Sequence, residues 1–368
     1  MDNVNGISNN GGRNLYTAWR SLNSVMAGIF SVVITAVFPL VYGDFYFDIL
    51  NYKTMFYYTA VVIFAVVFII VNAALIYLDR YLHRRGLNLT WWDLRASDWA
   101  MLLFLAAAVI STFQSEYFEA SLWGSEGRFS GLILIAAYAF TYFAGSRSLR
   151  LKQWYLDLFL AAGMLACVMG ILQFFRFDPL GFKREMDPGQ YTMFTSTIGN
   201  INTYTSYVAM ITGMSALLFY LEHGRGKKAW YLSCYAISLF ALITGISDNA
   251  YLAILALVMV FPLFALRNIK GARTYSLLLA VLGSEFWLIN WIICRYPGST
   301  LKISGLFQVI SGSPWLNWAV AVAPVCRIVG GGAFAAEGPC PDEEAQHRNL
   351  DLADGSGGIY VRGDLCAL

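Results

Sequence analysis

The sequence predicts an all-α polytopic membrane protein with about nine transmembrane helices. Three observations lead there. First, of 368 residues 58% are hydrophobic and 13% charged, with a mean hydropathy of +0.56, whereas soluble domains carry about a quarter charged residues. Second, the apolar residues gather in blocks that can cross a hydrocarbon core about 30 Å thick, which takes ~20 helical residues. Third, the basic residues between those blocks fall in alternate loops.

The blocks are, in order, 24–42, 54–78, 98–114, 130–146, 154–174, 202–221, 229–245, 250–266 and 274–293. The polar segment 1–23 precedes the first and carries Arg13 and Arg20. The loop after the second block holds Arg80, Arg84, Arg85 and Arg95, and the loop after the fourth holds Arg147, Arg150 and Lys152. Arg225, Lys227 and Lys228 follow the sixth block, and Arg267, Lys270 and Arg273 follow the eighth. The excess of Lys and Arg in cytoplasmic loops then places segment 1–23 in the cytoplasm. The membrane domain is expected to be 24–293, followed by an extracytoplasmic segment 294–318 and an atypical segment 319–368.

The opposite loops are aromatic and polar. In "FQSEYFEASLW", Phe113, Tyr117, Phe118 and Trp123 recur at roughly helical spacing, which predicts a short helix lying on the outer membrane surface. No cleavable signal peptide is expected, because residues 1–20 are polar and no small-residue cleavage pattern follows.

Several function classes are excluded. There is no basic stripe and no nucleic-acid motif, so no nucleic-acid partner is expected. No P-loop, dinucleotide fingerprint, HExxH or Ser/His/Asp signature occurs. Cys167, Cys234 and Cys294 lie in or beside apolar blocks, and Cys326, Cys340 and Cys366 match no zinc spacing, so neither metal nor cofactor is expected.

Candidate binding residues lie on the outer side. Arg128 precedes the fourth block, where it can snorkel to lipid headgroups or hold a phosphate through its planar guanidinium; Gly127 and Gly131 would permit close approach. Lys183 and Arg184 lie in the long segment 175–200, either simply solvated or in contact with an anion. In "TSTIGNINTYTSYVAM", Thr197, Asn200, Asn202 and Thr203 stand at the mouth of the sixth block. One small polar residue suffices to cap a helix, and a helix N-terminus also favours anions. In "TGISDNAYLAI", Ser247 or Asp248 can cap the next helix, and Asp248 can alternatively serve as a general base. Glu285 is the acid placed most clearly within a span, with no evident partner.

Taken together, "WGSEGRFSGLILIAAYAFTYF", "TSTIGNINTYTSYVAM" and "TGISDNAYLAI" resemble, in order and in membrane side, the O-antigen ligase/polymerase family of bacterial surface-polysaccharide assembly. The matching positions are Gly127-Arg128 with Gly131-Leu132, Gly199-Asn200 with Asn202, and Ser247-Asp248, within about residues 20–315. The resemblance implies metal-independent glycosyl transfer outside the cytoplasm, from undecaprenyl-diphosphate-linked glycan, by a protein embedded in membrane lipid beside other polysaccharide-assembly proteins of the cell envelope. It would give Arg128 the diphosphate and the Asn200/Asn202 mouth a substrate contact. No catalytic residue is assigned. Two departures stand out: many members have Ser-Arg-Gly where this chain has Ser247-Asp248-Asn249, and the family's large outer loop with its catalytic Arg and His, followed by further helices, has no counterpart.

After "SPWLNW" the composition turns to Ala, Gly, Pro, Asp and Glu, with Phe334 and Tyr360 the only aromatics of 319–368. Ala319-Val320-Ala321-Val322-Ala323 must be encoded GCN GTN GCN GTN GCN. Shifted by two nucleotides this reads NGT NGC NGT NGC, codons for Gly, Ser, Arg or Cys. A Trp-Gly-Ser-Gly-Arg continuation is therefore permitted after Trp318, similar to the motif that opens the family's catalytic loop. The sequence-based expectation is a frameshift near Trp318 and a chain inactive as written, in which His347 has no catalytic role. Two alternatives stand beside transfer. A transporter or flippase of lipid-linked sugars would usually show internal repeats and charges at the midplane. A non-catalytic accessory protein would need neither.

Overall fold

The computed structural model describes residues 3–43, 45–83, 94–125, 128–296, 298–303 and 306–311. Segment 319–368, with His347, Cys326, Cys340 and Cys366, lies outside them, as do Arg84, Arg85 and Gly127. The regular secondary structure of the described residues is helical, with no strand among them. The helices are α1 (Asn3–Val32), α2 (Ile49–His83), α3 (Ala96–Phe113), α4 (Phe118–Trp123), α5 (Leu132–Ser148), α6 (Gln153–Phe174), α7 (Ile201–Leu221), α8 (Arg225–Ile243), α9 (Asp248–Ala265), α10 (Ile269–Arg295) and α11 (Leu306–Ser311).

The chain is an all-α polytopic membrane protein. Each expected span coincides with a helix, and seven stretches are long and apolar enough to cross a bilayer: Thr17–Leu40, Ile49–Leu78, Ala96–Phe113, Gln153–Phe174, Ile201–Leu221, Asp248–Ala265 and Ile269–Arg295. The other two expected spans coincide with α5, which has 17 residues, and α8, whose first turn holds Arg225, Lys227 and Lys228. Along α2, Val62, Ile63, Ile69 and Ile70 are all about 60% exposed. Such a surface is a liability in water and the normal outside of a helix in lipid, where the backbone must satisfy its own hydrogen bonds.

The helices fall into two compact units, divided within α6, with the short segment around Tyr46, before α2, belonging to the second. In the first, α1 packs on α2 through Phe30, Phe64 and Phe68, with Phe30 and Phe64 stacked at 4.2 Å. The same pair of helices shares an amide clamp. Asn72 Nδ2 donates to Asn23 Oδ1 at 2.9 Å, and Asn72 Oδ1 accepts from Asn23 Nδ2 at 3.0 Å and from Trp19 Nε1 at 2.8 Å. Such small amides are effective partners between membrane helices.

Helix α1 loosens into a π-turn at Val33–Val37 and a 3-10 turn at Phe38–Leu40, where Pro39 cannot donate a helical bond. Lys53 closes this broken end, its Nζ donating to the carbonyls of Phe38 at 3.2 Å and Pro39 at 3.3 Å. A cation against carbonyls at a helix C-terminus is the favourable sign.

Helices α3 and α5 are joined by one carboxylate. Asp98 Oδ2 accepts from Arg147 at 2.9 Å and from its own cap, Arg95 N, at 2.7 Å, while Oδ1 accepts from Tyr142 Oη at 2.9 Å. Arg147, which charge patterning reads as a loop residue, is thus held in the last turn of α5.

In the second unit, α7 and α8 meet through small and hydroxyl residues. Thr212 Oγ1 donates to Ser238 Oγ at 3.1 Å, with Ser215, Ala216 and Ala241 fully buried alongside. Gly163 and Gly170 let α6 approach α7: a Cβ on Gly163 would strike Ile211, and one on Gly170 the Tyr204 hydroxyl. Helices α9 and α10 are tied by Tyr275, whose Oη donates to Val258 O at 2.8 Å and whose ring stacks on Phe261. Cys167 and Cys234 are buried in this unit, and Cys294 is exposed.

Candidate functional site

The site is built where α7 and α9 begin. Gly199 turns the chain at φ +91°, a value natural only for glycine, and Asn200 follows in extended conformation as the N-cap of α7. Asn200 Oδ1 accepts from Asn202 N at 3.0 Å and Thr203 N at 3.2 Å, so one residue caps the helix. The other polar side chains do different work. Asn202 Oδ1 accepts from Ser247 Oγ at 2.9 Å and from Asn249 Nδ2 at 3.5 Å. Ser206 and Thr205 donate to backbone carbonyls within α7.

Ser247 is the N-cap residue of α9, yet its side chain makes no cap bond, because its hydroxyl goes to Asn202. The first N–H groups of α9 are left without a side-chain cap. The turn before it is forced: Ile246 sits at φ +53°, unusual for a β-branched residue, and Gly245 is buried against Thr205, where a Cβ would strike the Thr205 methyl. Asn200, Asn202, Thr203, Asp248 and Asn249 are all exposed, and Ser247 is buried beneath them. The Asn202 Nδ2 donors have no protein partner among the described residues.

The segment leading to α7 is a framework for this mouth. Ser196, at φ +59° and fully buried, donates through N to Gln173 Oε1 and through Oγ to Ala166 O, both at 2.6 Å. Tyr46 Oη donates to Ser196 O at 2.7 Å, and its ring stacks on Phe182 at 5.2 Å. Burial pushes the Tyr46 phenol well above its ordinary range; the Gln173 hydrogen bond opposes this and the Asp178 carboxylate adds to it.

The charged candidates are placed as follows. Lys183 is 8% exposed and braces the loop, its Nζ donating to Tyr191 O at 2.5 Å and its N–H to Asp178 Oδ2 at 2.7 Å. Burial pulls the Lys183 ammonium below its usual range, against the opposing pull of Asp178. Neighbouring Arg184 is exposed. Asp248 is exposed in the first turn of α9, where a carboxylate complements the helix dipole. Asn200, Asn202 and Asp248 therefore meet at one mouth, with Lys183 in the wall of the adjoining loop. Arg128 belongs to the other unit and is exposed in the turn before α5. The close approach at Gly131 is by the chain itself: a Cβ there would strike the backbone of Gly124, Leu122 and Trp123.

Comparison of the chain with protein-family models, with curated proteins and with solved structures gave no match. The chemistry must be read from the mouth itself. It offers amide donors and acceptors, two helix N-termini and one carboxylate, and among the described residues no group of His, Cys, Asp and Glu suited to a metal. Such an arrangement can hydrogen-bond a polyhydroxylated or phosphorylated ligand. Sequence reading missed Gln173 and Tyr46, which hold Ser196. The positive φ of non-glycine Ser196 and Ile246 carries no signal in composition or spacing.

Proposed function

We propose that the chain is an O-antigen ligase/polymerase-like protein of the bacterial inner membrane, with its N-terminus in the cytoplasm and all nine apolar helices crossing the bilayer. Its ligand is undecaprenyl-diphosphate-linked glycan, bound at the extracytoplasmic ends of α7 and α9. The observation that carries this reading is the hydrogen bond from Ser247 to Asn202 at 2.9 Å. It joins two motifs, Gly199-Asn200-x-Asn202 and Ser247-Asp248, whose resemblance to the family rests otherwise on their order and membrane side. In this reading Asn202 turns its free amide donors to the glycan or its diphosphate, and the open N-terminus of α9 adds backbone donors.

The test is transfer from synthetic undecaprenyl-diphosphate glycan to an acceptor glycan. The chain as written is compared with the chain read in the alternative frame after Trp318. Transfer by the alternative-frame protein supports the reading. Movement of the lipid-linked sugar across vesicle membranes without transfer by either form overturns it in favour of a transporter.

A further inference from the structure

Outside the candidate site, Glu285 stands apart. It is the only acid in α10, and no Lys, Arg or His lies between Arg273 and Arg295. With a rise of about 1.5 Å per residue, Glu285 lies ~15 Å along the helix from Arg295 and ~24 Å from Ile269, deep within the span. Its Oε2 is sealed from solvent and has no hydrogen-bond partner among the described residues. The nearby polar groups are committed elsewhere: Ser284 Oγ donates to Val281 O at 2.8 Å, and Tyr235 Oη of α8 to Leu278 O at 3.3 Å. Of the helices packed on α10, α8 brings Tyr235 within electrostatic reach of the carboxyl. Helix α8 also carries Tyr231, Cys234 and, in its first turn, Arg225, Lys227 and Lys228, the last of them ~10 Å along the helix from Tyr235. Helix α9 carries Asp248 and Tyr251 at its far end, α7 carries Tyr204, Tyr207 and Tyr220, and α11 has no titratable side chain. Among the described residues no cation forms an ion pair with Glu285.

We propose that Glu285 is a proton-binding site inside the membrane. An isolated carboxylate in hydrocarbon is strongly disfavoured, and among the described residues no cation or donor offsets that cost. A proton removes the charge and lets the acid sit among the apolar faces of α8 and α10. The ligand is thus the proton itself, bound at an oxygen that no other group claims.

This site has a specific chemical signature. An apolar carbodiimide reaches a carboxylic acid from the lipid phase. The acid O–H adds across one C=N bond: the proton goes to nitrogen and the carboxyl oxygen bonds the central carbon. The acyl group then shifts from oxygen to nitrogen, leaving a stable N-acylurea. Nothing is oxidised or reduced and no group leaves.

The experiment treats the wild-type full chain in lipid vesicles with dicyclohexylcarbodiimide at about pH 6 and about pH 9, then maps the adduct by mass spectrometry. Glu285 is expected to be labelled, by about tenfold more at the lower pH, and a water-soluble carbodiimide is expected to label it weakly. Glu285→Asp should keep the label. Because the mapping is made on the wild-type chain, a variant that fails to fold leaves the result intact. Absence of label on Glu285, equal labelling at both pH values, or preferential labelling by the water-soluble reagent would overturn the proposal.

Discussion

The Ser247 hydroxyl donates to Asn202 Oδ1 at 2.9 Å, tying the first turn of α7 to the first residues of α9. Ser247 is taken from its usual task of capping its own helix. Ser247→Ala and Asn202→Ala should each lower thermal stability in detergent by ~1 kcal/mol. The double variant should lose less than the sum, since each change removes the same bond. Strictly additive losses would show that the two side chains do not interact.

Asn200 and Asn202 should separate cleanly. Asn200 is the cap of α7, so Asn200→Ala should cost about 1 kcal/mol of stability, and Asn200→Asp should restore most of it. Any effect of Asn200 on ligand handling is therefore mixed with folding. Asn202 carries no cap, which makes it the sharper probe of binding. Thermal melts of both variants, read beside ligand binding, check this.

At Gly170 the Tyr204 hydroxyl occupies the space a methyl group would need, and that hydroxyl has no hydrogen-bond partner among the described residues. Gly170→Ala should destabilise by ~1–3 kcal/mol, the usual cost of overpacking. Tyr204→Phe should be nearly neutral alone and should recover only part of the Gly170→Ala loss, because the ring carbon Cζ, 2.5 Å from the added Cβ, stays in the way. No recovery at all in melting experiments would place the clash elsewhere.

The Asp98 carboxylate serves Arg147, Tyr142 and the cap of α3 at once. Arg147→Met should lower the melting temperature more than Tyr142→Phe, because it leaves a buried carboxylate without its counter-charge. Asp98→Asn combined with Arg147→Met should recover part of the loss. Differential scanning fluorimetry on the purified chain distinguishes these orders.

Lys183 makes stability depend on alkaline pH. Its folded-state value is lowered by burial from the ordinary 10.5. Between the lowered value and 10.5 the unfolded chain holds more protons, so raising the pH through that window should increase stability. In Lys183→Met this rise should disappear, whereas in Arg184→Met it should persist. Melting curves across the alkaline range provide the measurement.

Much of the fold is legible in the sequence because lipid imposes a simple rule, that each span must be a long apolar helix. The same rule makes α5 and α8 ambiguous. One is short, and the other spends its first turn on Arg225, Lys227 and Lys228. The aromatic set from Phe113 to Trp123 is also readable: α4 forms there, and Phe113, Tyr117, Phe118 and Trp123 are all exposed.

The site was half legible. An Asn/Thr-rich run before an apolar helix announces a cap, and Asn200 supplies it. That Ser247 would abandon its own helix for Asn202 depends on a contact 45 residues away, which local pattern cannot carry. Lys183 reads as a loop charge and is a buried brace, because Asp178 and the Tyr191 carbonyl close around it. Gly131 reads as room for a ligand and is room for the chain's own backbone.

The most direct measurement is glycan transfer by Asn202→Ala in the protein read in the alternative frame after Trp318, with its melting temperature recorded in parallel. The expected result is a loss of transfer of about tenfold or more, corresponding to ~1.4 kcal/mol or more in the transition state, with the fold retained. Undiminished transfer by Asn202→Ala, or no transfer by the unsubstituted protein from undecaprenyl-diphosphate glycan, would contradict the account.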